Sequence, residues 1–108
     1  MATQTPIYGS SVVLGTTETT IYTAAEDTLS ILVRLSNTSA ATKTVELHVR
    51  HSAAAAADSN AHLKTYSIPA NDYVDVLVGN VAATGIISGL ASAVTSVTAA
   101  VLSGAERT

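Results

Sequence analysis

Leu29 to Leu35 reads Leu-Ser-Ile-Leu-Val-Arg-Leu, and Val45 to Val49 reads Val-Glu-Leu-His-Val. Apolar side chains recur at every second position in both runs. A period of two belongs to a β-strand with one buried and one solvated face. The pattern returns at Val74, Val76 and Val78, and again at Val97, Ala99 and Val101. Ser, Thr, Asn, Gly and Ala fill the stretches between. The chain is therefore read as all-β.

Working outward, a strand is expected over Ile7 to Leu14, with a turn at Gly15-Thr16-Thr17-Glu18. Thr19 to Ala24 is β-branched and aromatic, as strands prefer. Ala25-Glu26-Asp27 connects to the strand Leu29 to Ser36, and Asn37 to Thr42 is a polar loop. Lys43 to His51 is the next strand. Ser52 to Asn60 holds five consecutive alanines, too short a run for an isolated helix, and reads as a surface loop. His62 to Ile68 is a strand stopped by Pro69, which cannot donate to a ladder. Ala70-Asn71-Asp72 is a turn before the strand Tyr73 to Val78. Gly79 to Gly85 is a connector, Ile86 to Leu90 a short strand, and Thr95 to Glu106 the closing one. About eight short strands at even spacing predict an antiparallel β-sandwich, immunoglobulin-like or jelly-roll.

At 108 residues the chain is one domain, expected as a flexible arm over residues 1–6 and a sandwich over 7–108. There are no cysteines, no Trp and no Phe, and four Tyr, so the core must come from Val, Ile, Leu and Ala. Charged residues make up 12%, half the usual ~25%, and the formal charge is −3. The five basic residues, Arg34, Lys43, Arg50, Lys64 and Arg107, are scattered, which argues against nucleic acid as a partner. Met1 to Pro6 lacks a basic region and an apolar stretch, so it does not read as a secretory signal. Val81 to Leu102 is uncharged, but its Gly, Ser and Thr content argues against a membrane helix. A surface poor in charge suits permanent packing against neighbours.

The chemistry-bearing residues form no recognisable set. His48 is expected on the outward face of its strand, with His51 at the strand end and His62 opening the next strand. No carboxylate at useful spacing completes a metal site. Asp72 and Asp75 flank a strand start without an indicated cleft. No phosphate loop and no nucleophile–histidine motif can be assembled. The expectation is a non-enzymatic protein with no cofactor. More telling are apolar residues on the solvent side of their strands. Leu32, Leu77 and Leu102 each oppose the buried set, and with Tyr22, Tyr66 and Tyr73 they are the candidate interface.

The order of elements is also familiar. Thr19-Thr20-Ile21-Tyr22-Thr23-Ala24 precedes a strand ending in Leu35-Ser36-Asn37-Thr38-Ser39. Then come Ser67-Ile68-Pro69-Ala70-Asn71-Asp72 and a final Ser96-Val97-Thr98-Ala99-Ala100-Val101-Leu102-Ser103-Gly104-Ala105-Glu106. This layout resembles small β-sandwich virion proteins of tailed bacteriophages, from about Thr19 to Glu106. One departure is Ala83-Thr84-Gly85-Ile86, where the group often has a Gly-Asp turn. The resemblance implies a structural role in the virion, made in the host cytoplasm, foremost as a capsid decoration protein. Its partners would be copies of itself and other virion proteins: the major capsid protein, or neck and tail proteins in the alternative of a neck, tail or fibre-adaptor part. A reading of another class is a carbohydrate-binding module using Tyr66 or Tyr73, set back by the lack of Trp and Phe.

Overall fold

The computed structural model describes residues 4–7, 11–51 and 60–107. The described residues form nine strands: β1 (Gln4–Pro6), β2 (Ser11–Val13), β3 (Thr19–Thr23), β4 (Asp27–Asn37), β5 (Lys43–Arg50), β6 (Ala61–Ile68), β7 (Tyr73–Gly79), β8 (Ile86–Ala91) and β9 (Val97–Arg107). One sheet runs β1-β9-β4-β7, with β2 also on β9, and the other runs β3-β8-β5-β6. Every pairing is antiparallel. The pairs β2·β9, β3·β8, β4·β7 and β5·β6 are nested, as if one long hairpin had been folded over on itself. That is the topology of an eight-stranded jelly roll, with β1 and β2 as two pieces of its first strand. The all-β sandwich is as the alternation predicts, and the pairing order selects jelly-roll over immunoglobulin-like.

The inner faces are the alternating residues. Ile31, Val33, Leu35, Val76, Val97, Ala99 and Val101 come from the five-stranded sheet. Ile21, Val45, Leu47, Ile68, Ile87 and Ala91 come from the other, while Leu14, Ala24 and Val81 close the gaps between strands. Each large side chain so buried contributes about 1.5–3 kcal/mol of transfer free energy. Strand ends fall within two residues of the expected ones from β3 onward.

Three expectations change. Gln4–Pro6, placed in the arm, pairs with Arg107–Ala105 as β1, because the C-terminal half of β9 extends past β2 and offers an open ladder. Of the strand expected over Ile7 to Leu14, Ser11–Val13 forms β2, Ile7 and Leu14 are not in a strand, and residues 8–10 lie outside the described residues. Asn37, assigned to a polar loop, ends β4 and is fully buried. The alanine-rich loop, apart from Asn60, and residues 1–3 of the arm lie outside the described residues. Val81 to Leu102, the uncharged stretch, contains β8 and half of β9. Among the described residues no helix is long and apolar enough to cross a membrane.

Candidate interaction face

The outer side of the five-stranded sheet is built in rows across the strands. Val13, Thr98, Ser36 and Tyr73 are register partners in one row. Ser11, Ala100, Arg34 and Asp75 form the next. Leu32 and Leu77 form the third, where Leu102 joins at a bulge in β9. Because Val33, Leu35, Val97, Ala99 and Val76 point inward, these alternating neighbours must point out. Among the described residues the exposed large apolar side chains are Val13, Tyr66, Tyr73, Leu77, Val94 and Leu102. Four of these lie on this face: Leu77 at 64% exposed, Tyr73 at 53%, Val13 at 52% and Leu102 at 39%.

The one ion pair on these rows is self-contained. Arg34 donates from Nε to Asp75 Oδ1 at 2.7 Å and from Nη2 to Oδ2 at 3.0 Å. Its guanidinium also lies 4.1 Å from the centre of the Tyr73 ring. The Arg34 hydrogen bonds hold the Asp75 carboxyl below the usual carboxylate range, and Asp75 raises Arg34 in return. The face therefore presents exposed Leu and Val beside Tyr and a neutralised Arg; Tyr and Arg are enriched in protein interfaces, whose centres are poor in net charge.

Of the six residues singled out from the sequence, the structure brings Leu32, Leu77, Leu102 and Tyr73 together here. Leu32 is half-buried rather than exposed, because β7 and β9 flank it on both sides. Tyr66 stands on β6 in the opposite sheet and is not part of the face. Tyr22, on β3 of that same sheet, is also off the face and is half-buried. Its hydroxyl donates to Glu106 Oε2 at 2.8 Å, and the same oxygen accepts the Ala25 N–H at 3.1 Å. Burial, then the Glu106 carboxylate, pushes the Tyr22 phenol well above its ordinary value. The Tyr22 hydroxyl, followed by the backbone N–H of Ala25, holds Glu106 low.

A carboxyl whose folded-state pKa is depressed adds stability above its unfolded pKa, near 4.3, and loses it as pH falls through the lower folded value. Tyr22→Phe is accordingly expected to remove part of the acid-side loss of stability. At neutral pH it should cost under about 1 kcal/mol, since Glu106 is partly solvated. Urea unfolding at pH 7 and pH 3 checks this: the gap between wild type and variant should narrow at pH 3.

The opposite sheet carries a polar cluster that the sequence does not announce. The alternation of β5 predicts a solvent-facing His48, but it is only 3% exposed. It does sit on the outer side of β5, and Glu18 reaches over it from the turn before β3. Glu18 Oε1 accepts from His48 Nδ1 at 3.0 Å and from Ser88 Oγ at 2.6 Å, and Arg50 Nε donates to Ser88 Oγ at 3.0 Å. Ser88 and His48 thus share a carboxylate oxygen instead of bonding to each other, which differs from the nucleophile–base contact of acyl transfer. The cluster ties β3, β5 and β8 together. His62 lies elsewhere, donating from Nε2 to the Leu77 carbonyl at 3.1 Å. Among the described residues no three His, Asp or Glu side chains converge as a metal site.

No known protein family, no curated protein and no solved structure matches this chain.

Two sets of residues far apart in the sequence meet in space. Tyr22 joins Glu106 as described. Asn37, from the Asn-Thr-Ser turn, donates from Nδ2 to the Ile68 and Pro69 carbonyls of the Ile-Pro-Ala turn at 3.0 and 3.1 Å. These pairs fasten opposite ends of the sandwich.

Proposed function

We propose that this chain is a non-enzymatic bacteriophage virion structural protein, a capsid decoration protein that binds through the outer face of its five-stranded sheet. The observation that carries the reading is the gathering of Tyr73, Leu77, Leu102 and Val13 on that one face, beside an Arg34–Asp75 pair that needs no outside counter-charge. A face of apolar side chains and small hydroxyls such as Ser36 and Thr98, with its one ion pair self-neutralised, suits burial against a shell. The low overall charge and the resemblance of the sequence to small β-sandwich virion proteins support the same role. Jelly rolls are also a recurrent architecture among viral capsid proteins. Mass action would make shell stabilisation grow with occupancy.

Leu77→Lys and Leu32→Lys test this. A lysine at Leu77 is solvated in the free protein, so folding should be kept. In the assembly it would bury an unpaired ammonium. The affinity of the Leu77→Lys chain for particles is expected to fall by at least roughly tenfold, equivalent to about 1.4 kcal/mol, read as lost occupancy at a sub-saturating concentration. Full occupancy by both variants would overturn the reading. Copy number measured on the same particles separates a shell protein, present in proportion to the major capsid protein, from a neck or tail ring.

A further inference from the structure

The four outer edges of the two sheets are not alike. On the β1/β2 edge each described strand is three residues long. The β3 edge is five residues long, with a register shift between Thr20 and Tyr22. The β6 edge shifts register twice against β5, holds Thr65 at a φ of 53°, and carries His62 and Lys64. Short strands, bulges and charged side chains are how β proteins blunt an edge against pairing. The β7 edge has none of these between Tyr73 and Leu77. Its register against β4 is uninterrupted there, it contains no Lys, Arg or Pro, and its one charge, Asp75, is held by Arg34.

The direction of its backbone groups is also fixed. The Leu77 carbonyl accepts from His62, and the Tyr73 N–H donates to its neighbour Asp72 Oδ1 at 2.7 Å. Neither partner is in β4, so the N–H and C=O groups of Tyr73, Asp75 and Leu77 point away from the sheet. Side chains hold two of these positions where another strand's backbone would bond.

We infer that β7 pairs antiparallel with β7 of a second copy, about a two-fold axis at Asp75, so that two five-stranded sheets become one. In that register Tyr73 faces Leu77 of the other copy and Leu77 faces its Tyr73. This makes two aromatic–aliphatic cross-strand pairs from side chains that the single chain leaves exposed. The central row reads Arg34, Asp75, then Asp75 and Arg34 of the second copy. Each carboxylate arrives already neutralised by a bidentate guanidinium, so the row carries no net charge. The self-complementary order Tyr-x-Asp-x-Leu is what selects a second copy over an unrelated strand. The Tyr73 N–H replaces His62 on the Leu77 carbonyl, and the pairing also releases Asp72. The outer faces of both copies then run on as one surface. This deepens the proposed function by naming a contact between copies.

The absence of cysteine from the sequence allows a clean test. Two Asp75→Cys chains would face each other at about 5.5 Å between Cα atoms, within disulfide reach. Two Leu77→Cys chains would be about 13 Å apart, beyond it. Under mild oxidation, most of the Asp75→Cys protein is expected to double its 10.9 kDa mass, and Leu77→Cys is expected to stay single. A mixture of Tyr73→Cys and Leu77→Cys chains, which retains Asp75, should cross-link where neither does alone. Equal cross-linking of all variants, or none in either the Asp75→Cys sample or the mixture, would overturn the β7 pairing. Those results leave the outer-face reading to stand or fall on particle occupancy.

Discussion

Replacing Asn37 with aspartate is expected to cost at least about 3 kcal/mol at pH 7, a large share of the 5–15 kcal/mol that stabilises a domain of this kind. The side chain is fully buried, and its amide nitrogen donates towards three carbonyls: Ala41 at 2.9 Å, Ile68 at 3.0 Å and Pro69 at 3.1 Å. Its oxygen accepts from the Ser39 N–H and hydroxyl at 3.0 and 2.7 Å. Aspartate keeps the shape and the acceptor but places a negative oxygen against carbonyl oxygens. A buried carboxylate in that setting has a raised pKa, so the variant should regain stability as pH falls through it, the opposite of an ion-paired acid. Asn37→Ala, which leaves the same carbonyls without a donor but adds no charge, should cost less, about 1–3 kcal/mol. Urea midpoints at pH 7 and pH 4 check both. An unchanged midpoint for the aspartate variant would contradict the lock between the two turns.

Asn37 also shows where the sequence stops being informative. Asn-Thr-Ser reads as a polar turn by composition, and Asn37 does bond locally to Ser39 and Ala41, yet two of its acceptors lie 31 and 32 residues away. Nothing local marks an asparagine as the donor to a distant proline turn. His48 is the same case, covered by Glu18 from 30 residues away. In contrast, β4 and β7 were legible because one face of each is buried, which fixes the parity of every side chain. That parity is why Leu32, Leu77 and Tyr73 fall on one face as their spacing predicts. It does not say which sheet a strand joins: Tyr22 on β3 and Tyr66 on β6 lie off the face because both strands belong to the four-stranded sheet. Pairing order was not legible either, since Val, Ala and Thr recur in most strands and select no partner. The nested ladder that makes a jelly roll is a property of contacts between distant segments.

Gly89 is a position where adding one carbon should do severe harm. It sits in the middle of β8, opposite Leu47 on one side and Thr19 on the other. A methyl there would lie 2.6 Å from the Glu46 carbonyl oxygen and 3.6 Å from Ile21 Cδ1. Ile21 can rotate away. The Glu46 oxygen belongs to the backbone of β5, which is paired to β8 over six consecutive residues and to β6 on its other side. Relief requires the central ladder of the four-stranded sheet to open, and with it the Glu18–Ser88–His48 cluster that bridges the same strands. Gly89→Ala is therefore expected to cost about 3 kcal/mol or more, and to lower Tm by roughly 10 °C or more in a domain of this size. Gly15→Ala is the matched control. Its added carbon would find nothing nearer than 3.9 Å, and the change should stay within about 0.5 kcal/mol. Thermal unfolding of the two variants side by side decides the matter. Equal midpoints would mean that β5 and β8 are not packed at the separation described.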